Sequence, residues 1–240
     1  QQQGEFTSLY GPKNAKGVIL YSPGSYNKVT WQKVGERHIP PYLSTLNDHG
    51  WDVFRINMSR HDQRGRLRPY IARRLMELAG DRKAEGYARV VLAGQSWGGW
   101  NSIYALGLHP EQNSVDAVLA TAPATYGNGL RRRENTSKLL DMLKAFPGQT
   151  PVAIAVFAND SFAPTPRGAE IQALLADRGI ESFVVAEQPA LQGHGAAWMP
   201  AFDFLYADCL DDFLHGTGKT PYAFECEPPE KTKSDHRWMT

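Results

Sequence analysis

Residues 90–99 read VVLAGQSWGG. A run of small apolar and β-branched residues stops at Gly94, and Ser96 stands before Trp97, Gly98 and Gly99. The run predicts a strand buried on both faces. WGGWNSIYALGLHP (97–110) predicts the helix that follows, stopped at His109-Pro110. A serine in so sharp a turn has two readings. It is an N-cap of the helix, or it is a nucleophile lifted above the sheet edge. In the second case the helix dipole and the free N–H groups of its first turn would favour a developing oxyanion. The ten residues alone do not separate the two.

Similar short runs recur at GVILYS (17–22), WDVFRIN (51–57), VDAVLATA (115–122), VAIAVFA (152–158) and SFVVAE (182–187), and EFTSLY (5–10) reads as an edge strand. Helical patterns lie between them. PYIARRLMELAGDRKAEG (69–86) carries Ile71, Leu75, Met76, Leu78 and Ala79 on one face. TSKLLDMLKAFPG (136–148), PRGAEIQALLADRG (166–179) and PAFDFLYADCLDDFLHG (200–216) follow. The alternation predicts an α/β fold: a doubly wound, mostly parallel sheet of about six to seven strands with helices on both faces, in one domain over 1–240. The stretch between Ala122 and Pro151 holds one clear helix, too little for a large cap domain.

The 240 residues suffice for a sizeable core. Basic residues number 26 and acidic residues 25, for a net charge of +1, so nothing global draws the chain to nucleic acid or an anionic membrane. No apolar run is long enough to span a bilayer. The chain starts QQQGEF, as a trimmed chain or one that has lost a signal peptide would. Cys209 and Cys226 flank a segment that can fold back through its Gly-rich middle. A disulfide there would mean an oxidising compartment, secreted or periplasmic; two separate thiols would fit a cytoplasmic chain. The sequence does not bear on oligomeric state.

A nucleophilic serine needs a base, and the base needs an orienting acid. Of the seven histidines, His194 sits in LQGHGAAW, after the last predicted strand and before the last helix. His109 and His215 end helices, and His49 precedes a strand, which places all three at the far edge of the sheet. His61 is on the right edge but precedes Ser96 in the chain. For the acid, VAIAVFANDSF puts Asp160 just past a strand; Asp62 precedes the serine, and Asp203 falls inside the last helix. Ser96, Asp160 and His194 would each follow a strand, and so converge on the carboxyl edge where open α/β sheets bind ligands.

On Gly94-Gln95-Ser96-Trp97-Gly98, Asp160 and Gly193-His194-Gly195 the chain resembles the α/β-hydrolase family over nearly its whole length. ILYSPGSYN (19–27) adds to it, and the pattern is similar to the dienelactone-hydrolase-like, cutinase-like and lipase-like branch. Dienelactone hydrolases carry Cys at the elbow, and Ser96 counts against that particular activity. The resemblance implies carboxylic-ester hydrolysis through an acyl-enzyme, with Ser96 as nucleophile, His194 as base and Asp160 as orienting acid. It implies neither metal nor cofactor. The oxyanion would be held by the backbone N–H of Trp97 and that of Ser25 or Tyr26; Pro23 stands where the family often has His, which leaves the second donor open. An amidase or peptidase with the same residues, or a non-catalytic binding protein on the same scaffold, are the competing readings.

Tyr26, Trp97 and Trp198 are candidates to line the site and stack on a sugar or aromatic acyl group, with Trp31 nearby; Trp100, one turn into its helix, reads as core. SRHDQRGRLRP (59–69) brings Arg60, His61, Arg64, Arg66 and Arg68 to the same edge. Arg60, His61 and Arg64 could grip a carboxylate or phosphate on the substrate, or the loop could simply be solvated. Arg131-Arg132-Arg133 reads as surface. The expected partner is a small or polymer-borne ester in a fairly open site.

Overall fold

Along Gly17–Ser22 and Val90–Gln95 every residue is buried. Successive side chains turn to opposite faces of a strand, so such runs need cover on both sides. The computed structural model supplies it, and describes residues 2–3, 8–24, 39–56, 68–111, 113–125, 130–164, 166–216 and 226. The strands are β1 (Gln2–Gln3), β2 (Gly17–Ser22), β3 (Trp51–Arg55), β4 (Val90–Gln95), β5 (Ala117–Thr121), β6 (Val152–Ala155) and β7 (Ser182–Val185). They form one sheet in the order β1-β3-β2-β4-β5-β6-β7. Every pair from β3 to β7 is parallel, and β1 alone is antiparallel.

The helices are α1 (Pro41–Asp48), α2 (Arg68–Ala84), α3 (Trp97–Leu108), α4 (Glu134–Lys144), α5 (Gly168–Asp177) and α6 (Pro200–His215). One core joins Val18, Leu20, Val90 and Leu92 to Ile71 and Leu75 of α2, Ile103 of α3, Leu139 of α4 and Ile171 of α5. The other joins Ile19, Tyr21, Val91 and Ala93 to Leu43 and Leu46 of α1 and Phe202, Leu210 and Phe213 of α6. Four helices thus cover one face and two the other. The connection from β2 runs outward to β3 and that from β4 runs to β5, so the switch point of the topology lies between the carboxyl ends of β2 and β4.

One expectation changes. Of the edge strand expected over 5–10, residues 5–7 lie outside the described residues, and Ser8–Tyr10 is not a strand. The Ser8 and Tyr10 N–H groups donate instead to Asn47 Oδ1 (2.8 Å) and Asp52 Oδ1 (2.7 Å), which takes the donors a ladder would need. Gln2–Gln3 provide the edge pairing, opposite Phe54 and Arg55. The sequence pattern also gave no sign of α1, whose eight residues open at a Pro with no side-chain cap.

Cys209 and Cys226 are joined in a disulfide, with Cα atoms 5.7 Å apart. No helix among the described residues is long and apolar enough to cross a membrane.

Candidate active site

The turn after β4 is held by close backbone approach. A Cβ on Gly94 would stand 2.5 Å from the Gly99 nitrogen, and one on Gly98 would collide with the Ser22 carbonyl. Glycine at both positions lets α3 start directly against β2 and β4. Between them Ser96 has φ 55° and ψ −118°, a conformation rare for a residue with a side chain and costing of order 1–3 kcal/mol. Ala122 after β5 and Asn159 after β6 are the other two described non-glycine residues with positive φ. All three lie just past the carboxyl ends of adjacent strands.

Ser96 does not cap α3, because its side chain makes no cap hydrogen bond. The hydroxyl instead lies 2.7 Å from His194 Nε2. On the other side of the ring, Nδ1 is 2.9 Å from Asp160 Oδ1 and 3.0 Å from Oδ2. An ionised carboxylate can only accept, so Nδ1 carries the proton, and Nε2 of the neutral ring is left to accept from the Ser96 hydroxyl. Asp160 is buried (2% exposed), and its Oδ1 also accepts from the Phe162 N–H at 2.8 Å.

Several residues that the sequence did not single out hold this line. The Phe162 ring packs on the imidazole of His194, with centroids 4.1 Å apart. Gln95 Nε2 donates to the His194 carbonyl at 3.0 Å, which ties the elbow to the histidine loop. Gly193 N donates to the Ala158 carbonyl at 2.7 Å, tying that loop to the one bearing Asp160. The buried Asn135 of α4 receives the Thr125 N–H and donates to the Phe162 carbonyl, bridging the loops after β5 and β6. Arg167 places a buried guanidinium 3.9 Å from Asp160 Oδ2.

The Trp97 N–H belongs to the first turn of α3, whose N–H groups have no partner within the helix. Pro23 and Gly24 end the described part of the loop after β2. A Cβ at Gly24 would stand 3.2 Å from the Ser96 Cβ and 2.6 Å from Gln95 Oε1, so that loop passes directly against the elbow. Ser25 and Tyr26 lie outside the described residues, as do Trp31, Arg60, His61, Arg64, Arg66 and Asp62.

The Trp97 ring is buried (4% exposed), with the Arg68 guanidinium 4.9 Å above its centre. Arg68 also donates to the Thr125 hydroxyl. Trp100 is core, as expected. Trp198 is half-buried in the short 3-10 turn Ala196–Trp198 that follows His194. The Arg131–Arg133 run is not wholly surface: Arg132 is half-buried, and its Nη1 donates to the Ser161 carbonyl at 2.9 Å. His49 and Asp203 are engaged elsewhere, His49 beside Asp211 and Asp203 accepting from Thr45. No group of His, Cys, Asp and Glu able to hold a metal ion occurs among the described residues.

No protein-family model matches the chain, and none of the curated proteins compared with it does. Solved structures match over most of its length. A carbohydrate esterase from gut microbiota, in truncated form, is 15% identical, with a TM-score of 0.58 over 85% of this chain and 86% of that one. An esterase of Pyrococcus furiosus is 14% identical, with a TM-score of 0.57 over 85% and 82%. The chain has the α/β-hydrolase fold. That fold also carries a puromycin-hydrolysing peptidase of Mycobacterium tuberculosis, 15% identical with a TM-score of 0.58, in which the match spans 90% of this chain but 37% of the peptidase.

Proposed function

We propose that this protein is a serine hydrolase that cleaves carboxylic esters through an acyl-enzyme. The observation that carries the reading is the continuous line from Asp160 through both nitrogens of His194 to the Ser96 hydroxyl. In this mechanism His194 Nε2 takes the hydroxyl proton as Ser96 Oγ attacks the carbonyl carbon. Asp160 holds the ring in the tautomer that does this, and stabilises the imidazolium that forms. The Trp97 N–H, with a second donor from Ser25 or Tyr26, receives the oxyanion. One such donor contributes about 3 kcal/mol of transition-state stabilisation. His194 then returns the proton to the leaving alcohol, and water cleaves the acyl-enzyme by the same base. All of these groups belong to the chain, and the mechanism calls on no metal or cofactor.

Trp97 serves this site through its backbone, since its ring is covered by Arg68. Tyr26 and Trp198 remain the aromatic candidates for substrate contact, and Arg60, His61 and Arg64 the candidates for an anionic group on the substrate. The disulfide suits a protein that works in an oxidising compartment, secreted or periplasmic.

The proposal is tested by matched p-nitrophenyl ester and p-nitroanilide substrates with the wild type and Ser96→Ala. Ester turnover that depends on Ser96 and exceeds anilide turnover is the expected result. Faster anilide cleavage would move the assignment to an amidase or peptidase, as one structural neighbour is named.

A further inference from the structure

The guanidinium of Arg167 is an anomaly of this active edge. Arg167 is 2% exposed, and neither Nη1 nor Nη2 has a hydrogen-bond partner. A buried charge without hydrogen bonds is costly unless opposite charges compensate it. Two carboxylates do so: Asp160, whose Oδ2 is 3.9 Å from Nη2, and Glu187, which follows β7. Glu187 is fixed by accepting from the backbone N–H groups of Arg167 (2.7 Å) and Gly168 (3.1 Å) at the start of α5. Burial lowers the Arg167 guanidinium to about 10, against the opposing pull of Asp160 and then Glu187, which still leaves it charged at neutral pH.

We propose that Arg167 is a positioning residue of the active centre, whose buried positive charge backs the Asp160 carboxylate and keeps it aligned on His194. The inference rests on the serine-hydrolase reading above. Asp160 takes its polar contacts from three sides: His194 in front, the Phe162 N–H on Oδ1, and the Arg167 charge behind Oδ2. The guanidinium supplies charge without taking the carboxylate into a bidentate pair, which would compete with His194 for the same oxygens. Among the described residues, the charged groups facing this pair are His194, after the last strand, and Glu187. Arg132 reaches the adjoining Ser161 carbonyl.

Removing the charge acts in one direction. It favours protonation of Asp160, and it also favours protonation of His194, which then senses less positive charge nearby. Both remove the competent form, ionised acid with neutral imidazole, at the acid end. Arg167→Met and Arg167→Gln should therefore move the acid limb of kcat/KM to higher pH. Arg167→Lys should restore the limb most of the way. Glu187→Gln keeps an oxygen for the backbone N–H groups but removes the competing carboxylate, so its limb should move to lower pH. This variant tests the same field without altering Arg167, should the neutral replacements fail to fold.

The experiment measures, for each variant, the pH profile of ester turnover and of fluorophosphonate labelling. A limb displaced in these opposite senses supports the inference. Limbs that stay in place, however much stability is lost, overturn it and leave Arg167 structural. A folded wild type that the probe does not label overturns the serine-hydrolase reading itself, and this inference with it.

Discussion

Asp52 and Asp160 are buried almost equally, at 0% and 2% exposure, at opposite edges of the same sheet. Asp52, second in β3, accepts from the Tyr10 N–H (2.7 Å), the Gly11 N–H (2.9 Å) and the Tyr87 hydroxyl (2.6 Å). Burial, and next the Asp52 hydrogen bond, push the Tyr87 phenol well above its ordinary range, so it stays a donor. Two of the donors are backbone N–H groups and the third is a buried phenol. Asp160 has one backbone donor and one buried cation, and its remaining partner is an imidazole whose far nitrogen meets a hydroxyl in a strained turn. Burial and hydrogen bonding alone therefore do not separate these two carboxylates. The difference lies in whether the donor can pass a proton onward.

That contrast can be broken by substitution. Asp160→Asn keeps the oxygen that caps Phe162 but spoils the tautomer of His194. It should lower kcat by about 10⁴-fold and also lower Tm, because the buried Arg167 charge loses one of its two carboxylates. The edge that holds Asp52 should answer in stability instead. Its disulfide fixes α6, which also carries Asp211, the partner of Lys16 and of the Trp51 indole. Replacing Cys209 and Cys226 together by Ser should cost about 3 kcal/mol in denaturant unfolding and leave kcat intact where the protein is folded. Asp52→Asn turns one accepting oxygen into a donor facing donors, which should cost about 1–3 kcal/mol with kcat unchanged. A large loss of kcat in either variant would mean that the two edges are coupled.

The smallest effect belongs to Gln95, which lies within the elbow yet acts on the histidine loop. Gln95→Leu removes one hydrogen bond to the His194 carbonyl, a loss of about 0.5–1.5 kcal/mol. It should reduce kcat/KM by up to about tenfold, without moving Tm by more than a few degrees.

The parallel strands were legible in the sequence because burial on both faces leaves no polar alternation, so each read as an apolar run. Ser96, Asp160 and His194 were legible because each follows such a run, and the topology carries strand ends to one edge. What escaped the sequence depends on partners far along the chain. Asn135 and Phe162 are 27 residues apart, and neither has a local pattern that foretells their bond. Arg167 sits at the start of α5 like any polar residue, and only the packing brings it behind Asp160. The Ser8–Tyr10 segment has strand composition, but two side-chain acceptors from α1 and β3 took its backbone donors. Helix α1 is short, and its apolar residues Tyr42, Leu43 and Leu46 are too few to display a period.

The central claim is that Ser96 is made nucleophilic by His194 and Asp160. Its most direct measurement is site-resolved labelling by a fluorophosphonate, read by mass spectrometry of the folded protein. The wild type should be modified on the peptide bearing Ser96, His194→Ala and Asp160→Asn much more slowly, and Ser96→Ala not at all. Labelling of Ser96→Ala at the wild-type rate, or a folded wild type that resists the probe, would contradict the account.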